Sequence, residues 1–360
     1  MWSTSTPLRC SSQCLDVVRN FVYTGSLDQE SVMKLNISDQ QELHGVATYL
    51  GMLYVQEWMK QFLHGATPEA NEDVDHNRCE PPHCSREKMP DQGWRVIPVH
   101  HDDPVFKSLG RALVPEDPMT LGRGRDCHSW PPYSQLILQR AWRLEHRGLW
   151  RKFAAERSSL KELQATRLSK MPRVKVRQNL VQATQDLPLS VLKEVNEVHL
   201  LHGTKPETVL NILNDGLNER YSGGIFGSGS YLAEDSAKSD QYTTVDRTSS
   251  VDSTFQDLQK CLYGRDASRP NEVFYIVVCR ALLGWFVRTS DGTTSLDHNG
   301  LGIWATRDKR ELSSVPKLKP PVTFHSLQAE TGGIVARHRE YILTHSERIY
   351  PEYLIAYSRQ

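Results

Sequence analysis

Short apolar runs separated by turn residues dominate the chain after residue 195, which is the pattern of a sheet with few helices. We interpret six of these runs as strands, at 197–202, 230–233, 273–281, 285–288, 339–344 and 352–357. Two other segments, 205–215 and 235–242, fit helices, and Pro206 and Gly216 suit the start and the end of the first one. Strands with so few helices between them favour an α+β fold with a split, mostly antiparallel sheet over a doubly wound one.

The pattern before residue 195 divides the chain. Residues 133–144 alternate between apolar and charged side chains, as a strand does, and residues 149–166 carry apolar side chains on one side of a helix. Residues 65–92 are rich in Pro, His and charged residues and lack apolar periodicity. We therefore expect a small, mainly helical segment at 1–64, a flexible linker at 65–92 and one larger domain at 93–360.

Charge and hydropathy exclude some classes of function. The chain has 43 basic and 43 acidic residues, so its formal net charge of zero gives no support to general polyanion binding. The chain contains no run of about 18 apolar residues, so we expect no membrane span. The N-terminus also lacks the pattern of a secretory signal. We expect an intracellular protein, in the nucleus, the cytoplasm or both.

The cysteines predict neither disulfides nor a metal. There are seven, scattered and odd in number, which does not suggest a disulfide framework in a chain of this size. The tightest cluster of metal-ligating side chains is His76, Cys79, His83 and Cys84. Because this cluster lacks a second Cys-x-x-Cys pair, we expect no bound metal.

Two glycine-containing segments carry the most specific signal. The first is residues 200–204 (LLHGT), an apolar run that ends in a His-Gly turn, and the second is residues 227–242 (GSGSYLAEDSAKSDQY). Together they supply His, Gly, Tyr, Ser and Tyr in an order suited to holding a flat amide and its sugar. The arrangement resembles the NAD-binding core of the poly(ADP-ribose) polymerase family, over residues 94–360. The resemblance implies an ADP-ribosyltransferase fold with NAD+ as the substrate.

The resemblance implies a pocket for the nicotinamide group of NAD+. Gly203 would hold the carboxamide through its backbone, since a residue without Cβ lets amide and carbonyl groups approach a ligand closely. The family pattern adds the Ser239 hydroxyl to this contact and stacks Tyr242 on the nicotinamide ring. It places Tyr231 in the catalytic triad.

The rest of NAD+ would contact residues on both sides of this pocket. By the same resemblance, His202 belongs to the triad and reaches the adenosine ribose. Thr204 and Arg220 match positions near the adenine and the entrance of the donor loop. From the residues alone, a histidine such as His202 is more often a partly buried structural residue, and Arg220 is as often a solvated surface residue as a ligand contact.

The third catalytic group should be a carboxylate on a late strand. Glu340 and Glu352 both precede a tyrosine and an aliphatic residue, so the local sequence does not separate them. The family has two consecutive C-terminal strands here, with the catalytic glutamate opening the first, and Glu340 matches that position. A carboxylate there can stabilise the cationic, oxocarbenium-like sugar of the transition state. A glutamate at this position permits polymer formation but does not require it.

Within the family, residues 216–242 are most similar to the tankyrase branch, especially at 219–220 and 223–227. The zinc-binding cysteines of that branch are reduced here to Cys261, so the resemblance also implies no zinc. Residues 167–194 are too few for the helical regulatory domain of the DNA-damage-responsive branch. We therefore expect no DNA-dependent activation.

The N-terminal segment resembles the second half of a BTB domain. The residues that carry this resemblance are 21–25 (FVYTG), 47–52 (ATYLGM) and 60–63 (KQFL). A partial BTB-like segment implies a protein partner, whereas the alternative is a small helical appendage without that role.

These observations predict an NAD+ ADP-ribosyltransferase that moves ADP-ribose to protein acceptors and releases nicotinamide. One alternative is a non-catalytic interaction protein that binds NAD or a partner, and another is an NAD glycohydrolase that uses water as the acceptor. A tRNA 2′-phosphotransferase on a related fold would need more basic residues around the site. The sequence does not identify the acceptor protein, its side chain, the product length or the oligomeric state.

Overall fold

The computed structural model forms two compact units, Met1–Asn77 and Arg78–Gln360. It describes isolated residues between 11 and 43, and then residues 89–90, 92–123, 132–219, 222–247, 253–264, 270–332 and 337–360. In the first unit, residues 16–19 are helical. The BTB-like strings and almost all of the linker at 65–92 lie outside the described residues, so the boundaries at 64 and 92 stay predictions. None of the described helices is long and apolar enough to cross a membrane.

A large, mostly antiparallel sheet organises the second unit. Its strands are β1 (Trp94–Pro98), β2 (Leu136–His146), β3 (Glu197–Thr204), β6 (Ser230–Ala233), β7 (Asp246–Arg247), β8 (Glu272–Leu282), β9 (Phe286–Thr289), β10 (Ser326–Ala329), β11 (Glu340–Leu343) and β12 (Ile349–Arg359). The order across the sheet is β1-β2-β12-β8-β3-β6-β11-β10-β9, with β7 paired to β8. Only β9 and β10 run parallel among these described pairs. A two-residue ribbon, β4 (Gly223–Gly224) and β5 (Gly227–Ser228), precedes β6.

Helices cover the sheet and its loops. They are α1 (Pro104–Ala112), α2 (Arg147–Thr166), α3 (Gln178–Thr184), α4 (Pro206–Asp215), α5 (Ser236–Asp240) and α6 (Ser253–Tyr263). As the sequence predicts, Pro206 opens α4 and Gly216 ends it, with a positive φ of 77° at the C-cap. Asp235 caps α5 by accepting a hydrogen bond from the amide of Ala237, at 2.8 Å.

The sheet divides between β3 and β6. Along the described strands, these two pair at one position only, Leu201 opposite Ala233. On its other edge, β3 is fully paired with β8 from Glu197 to Thr204. In this antiparallel register the last three residues of β3 would face the rest of β6, but they are not paired with it, and α5 packs against β3. This split brings the two glycine-containing segments of the sequence into contact, and we call the region between β3, β6 and α5 the cleft.

The core explains why most predicted elements form. Apolar side chains of β2, β3, β8 and β12 make one buried cluster, and Trp142 belongs to it. Trp150 and Phe153 pack in a second cluster under α2. The mostly antiparallel sheet is confirmed. The prediction did not include α1, α3, α6 or β10, and it extended α5 by two residues into the turn that follows it.

His325 makes the stability of this unit dependent on pH. Its buried ring accepts a hydrogen bond at Nδ1 from the amide of Trp285, at 3.0 Å. Burial, helped by the charge of Arg348, lowers the pKa of His325 to about 3. In the unfolded chain this histidine takes up a proton near pH 6.5, so between pH 6.5 and 3 the unfolded state binds the extra proton.

Acidification should therefore lower the free energy of unfolding, by up to about 1.4 kcal/mol per pH unit from this residue. His325→Asn keeps an acceptor near the Trp285 amide and cannot titrate. We expect denaturant melts at pH 6.5, 5.5 and 4.5 to show a shallower decline of stability for His325→Asn than for the parent protein. Parallel declines would mean that His325 binds its proton equally well in the folded and the unfolded state, which contradicts the lowered pKa.

Candidate active site

Gly203 lies where β3 passes directly against α5. A Cβ at this position would come within 1.8 Å of the backbone oxygen of Ser239 and 2.6 Å of its carbonyl carbon. Real Cβ atoms do not approach backbone so closely, so this crossing requires glycine. The close approach fixes the backbone of Gly203 beside Ser239, two of the residues predicted to bind the nicotinamide amide.

The hydroxyl of Ser239 is a buried polar group without a protein partner. Ser239 is 2% exposed, and its Oγ makes no hydrogen bond to any described residue. Buried hydroxyls are normally paired, and leaving one unpaired costs about 1–3 kcal/mol. The hydroxyl is therefore available to a ligand in the cleft.

Tyr242 follows α5 and remains open to solvent. Its side chain belongs to the few large hydrophobic ones exposed among the described residues, at 54%. Its Oη accepts a hydrogen bond from Lys238 Nζ at 2.9 Å, which holds the tyrosine from one edge. An exposed ring beside a buried, unpaired hydroxyl is suited to covering one side of a flat ligand.

His202 and Tyr231 are linked across the split in the sheet. The Nδ1 of His202 lies 2.9 Å from the backbone oxygen of Tyr231, which can only accept, so Nδ1 carries the proton. Burial lowers the pKa of His202, and the ring is therefore neutral near pH 7. In this tautomer Nε2 is an acceptor, which suits a ribose hydroxyl.

The phenol of Tyr231 is fixed by the backbone of residues 226–227. Its Oη accepts a hydrogen bond from the amide of Phe226 at 3.1 Å and donates to the backbone oxygen of Gly227 at 2.9 Å. Burial raises the pKa of Tyr231, and the nearby charge of Glu340 raises it further. Tyr231 is therefore a neutral, rigid group that shapes the cleft.

Glu340 occupies the first position of β11, directly opposite Ala233 of β6. Its Oε1 lies 3.1 Å from Lys238 Nζ, and both side chains are largely buried. Burial lowers the pKa of Lys238, but Glu340 and Tyr242 raise it by more, so the net pKa lies above the usual value. Lys238 therefore stays charged and connects Glu340 to Tyr242.

The sequence pattern predicts no role for Lys238, although it lies within the second glycine-containing segment, directly before Ser239. Its position next to Ser239 does not indicate that its partner is Glu340. Glu340 is about a hundred residues away along the chain, and only the pairing of β6 with β11 brings it to α5.

Glu352, the other candidate carboxylate, is part of a buried ionic network away from these contacts. His199 Nε2 lies 2.8 Å from its Oε2, and Arg280 Nη1 lies 3.3 Å from its Oε1. Arg280 also pairs with Glu197 at 2.6 Å, and Glu197 in turn with Arg157 of α2 at 2.7 Å. The network ties β3, β8, β12 and α2 together, which is a structural role.

The remaining two predicted contacts are less informative. Thr204 is buried, and its hydroxyl reaches Thr208 Oγ1 at 3.2 Å in the first turn of α4. Arg220 lies outside the described residues. The structure thus brings together His202, Gly203, Tyr231, Ser239, Tyr242 and Glu340, whereas the hydroxyl of Thr204 is directed at the first turn of α4.

A comparison with protein-family models matches residues 125–359, almost two thirds of the chain, to the poly(ADP-ribose) polymerase catalytic domain. The chain belongs to this family. The match begins before β2 and ends at the last residue of β12, so it contains every cleft residue described above. Membership supports ADP-ribosyltransferase activity, with NAD+ as the substrate of the poly(ADP-ribose) polymerase domain. The large, mostly antiparallel sheet agrees with this assignment.

Proposed function

We propose that the cleft between β3, β6 and α5 transfers ADP-ribose from NAD+ to protein acceptors and releases nicotinamide. The observation that carries the proposal is the buried hydroxyl of Ser239, which has no partner among the described residues and whose own backbone lies directly against Gly203. A primary amide has both a donor and an acceptor to offer such a pair. Tyr242 would cover the attached ring.

Glu340 supplies the electrostatic part of the mechanism. As the bond between nicotinamide and ribose breaks, its electron pair leaves with nicotinamide and positive charge develops on the sugar. A carboxylate beside the ribose stabilises that charge more in the transition state than in the ground state. The acceptor side chain then forms the new bond to the sugar and loses its proton. Lys238 holds the Glu340 carboxylate in place through their ion pair.

His202 and Tyr231 orient the substrate. His202 offers Nε2 as an acceptor for a hydroxyl of the adenosine ribose, because its other nitrogen donates to Tyr231. Tyr231 holds the backbone of residues 226–227 in place through its two hydrogen bonds. Arg220 and Thr204 complete the proposed NAD+ contacts near the adenine. None of these steps needs a metal.

Several finer features belong to the same proposal. Glu340 permits polymer formation, and the string at 216–242 is most similar to the tankyrase branch. The partial BTB-like segment would bind a protein partner, and activation would not depend on DNA. An intracellular location, nuclear or cytoplasmic, fits this activity.

Labelled NAD+ separates the proposal from its alternatives. After incubation with the purified chain, a denaturing gel should show label on protein, as a sharp band for single transfer or a smear for polymer. Release of nicotinamide without protein-bound label would identify a glycohydrolase. If the folded protein gives neither protein-bound label nor free nicotinamide, the remaining alternative is the non-catalytic interaction protein.

The nicotinamide pocket makes a separate prediction for amide ligands. Free nicotinamide and rigid benzamide-type amides should compete with NAD+, because a planar amide held at several points binds well for its size. Ser239→Ala leaves one amide contact unmade and should weaken such ligands by roughly 1–3 kcal/mol. Tyr242→Ala should cost a similar amount through lost stacking and burial.

Calorimetric titration with a benzamide measures both effects. Thr293→Ala is a matched control, since this exposed hydroxyl bonds only within its own turn, to Asp291, and its loss should leave the affinity unchanged. Equal affinities in the parent protein, Ser239→Ala and Tyr242→Ala would remove these two residues from the pocket.

A further inference from the structure

Asp240, the last residue of α5, carries a carboxylate that is completely buried. Its Oδ1 accepts hydrogen bonds from Tyr357 Oη at 2.5 Å and from Arg359 Nε at 2.9 Å, and its Oδ2 accepts one from Tyr133 Oη. The donors come from the end of β12 and from the segment that leads into β2. A buried carboxylate with three donors from two other elements is a strong point of attachment.

Arg359 is built into the same place. Its guanidinium lies 3.8 Å from the ring centre of Phe274 and 4.9 Å from that of Tyr133. One of its nitrogens, Nη2, also donates to the backbone oxygen of Asp240 and to Thr243 Oγ1, each at 3.0 Å. The side chain thus holds both the carboxylate and the backbone at the end of α5. An arginine can do this because its donors lie in a fixed, planar fork.

These contacts adjoin the residues that would bind nicotinamide. Asp240 follows Ser239 directly, and the amide of Tyr242 donates to the backbone oxygen of Ser239 at 3.1 Å. The same oxygen lies against Gly203. A helix of five residues has too few internal hydrogen bonds to hold its own position. The place of Ser239 and Tyr242 in the cleft therefore depends on what holds the two ends of α5.

We propose that Asp240 and Arg359 are positioning residues for the nicotinamide pocket, acting through Ser239 and Tyr242. The inference rests on the proposed function, because it concerns how well the same pocket binds an amide. Through Arg359 it gives part of this role to β12, the last strand in the chain, whose carboxylate, Glu352, serves the ionic network. Glu340 would be affected less, since the pairing of β11 with β6 and β10 holds its backbone and only its partner Lys238 lies on α5.

Three variants test the proposal. Asp240→Asn keeps the shape and removes the charge, Arg359→Gln removes the charge and the fork, and Arg359→Lys keeps the charge alone. Glu145→Gln is the matched control, because Glu145 is an equally buried carboxylate that pairs with Arg95 and Arg143 at the β1 edge of the sheet. All are compared well below their melting temperatures, by benzamide titration, NAD+ kinetics and amide hydrogen exchange.

We expect Asp240→Asn and Arg359→Gln to raise the benzamide Kd and the KM for NAD+ by roughly tenfold to a hundredfold, with a smaller change in kcat. Arg359→Lys should recover part of the affinity. Glu145→Gln should lower the Tm without changing Kd or KM. A folded Asp240→Asn protein with the Kd and KM of the parent would overturn the proposal.

Hydrogen exchange separates this result from a failure of the proposed function. In the ligand-free protein, Asp240→Asn should speed exchange in residues 236–243, and Glu145→Gln should not. If the parent protein binds no benzamide and does not turn over NAD+, the proposed function fails. Faster exchange confined to residues 236–243 would then still show that Asp240 holds the end of α5. Unchanged exchange would reject that role of Asp240 as well.

Discussion

Replacing Glu340 by Gln should lower ADP-ribosyl transfer by about a hundredfold or more while the protein stays folded. The substitution keeps the size of the side chain and removes the charge that opposes the cationic sugar in the transition state. Losing one such preorganised electrostatic contact typically costs about a hundredfold to a thousandfold in kcat. The ion pair with Lys238 is lost as well, so Lys238 would no longer hold this side chain in place. Steady-state release of nicotinamide measures the effect.

Glu352→Gln is the matched control for that experiment, since the two glutamates share the same local sequence. Removing the Glu352 charge breaks its ion pair with Arg280, which stays paired with Glu197. We therefore expect the free energy of unfolding to fall by about 1–3 kcal/mol and kcat to stay close to that of the parent. If the Glu352 variant is folded and loses more activity than the Glu340 variant, the assignment of the catalytic carboxylate is wrong.

Gly203→Ala should abolish both amide binding and turnover. The added methyl group would lie 1.8 Å from the backbone oxygen of Ser239, and backbone cannot give way as a flexible side chain does. Either β3 or α5 must move, and both carry residues of the pocket. Overpacking of this kind costs about 1–3 kcal/mol or more in stability. We expect benzamide affinity to fall by at least about a hundredfold, since a displacement near 1 Å already has that effect on positioned groups.

Gly302→Ala tests whether the loss of benzamide affinity is specific to the close contact between Gly203 and Ser239. A Cβ at Gly302 meets no atom within 4 Å, so this substitution should leave the affinity, turnover and Tm nearly unchanged. Normal benzamide binding by folded Gly203→Ala protein would show that the close approach to Ser239 is not needed for the pocket.

Local patterns predicted the elements whose boundaries are set by nearby residues. The strand at 230–233 lies between a glycine-rich turn and a helix cap, and its structural limits are the predicted ones. Pro206 and Gly216 delimited α4 in the same way. By contrast, β10 is a four-residue strand that forms between β9 and β11, and its sequence alone carries too little periodicity to reveal it.

The contacts that complete the site are long-range, and for that reason the sequence did not reveal them. The choice of Glu340 over Glu352 rests on the family pattern of two C-terminal strands and stays a prediction, while Glu352 lies in a buried ionic network. The partners of Lys238 and Asp240 lie about a hundred residues away in the chain. In the sequence, charged side chains on a short helix are typical of a solvated face. Only the folded sheet brings Lys238 and Asp240 next to their partners.

The most direct test is a crystal structure of the protein with a benzamide-type amide bound. The account predicts the carboxamide against the backbone of Gly203 and the hydroxyl of Ser239, with the ring along Tyr242 and its far edge toward Glu340. An amide bound at another place, with Ser239 still unpaired in the same crystal, would contradict the account.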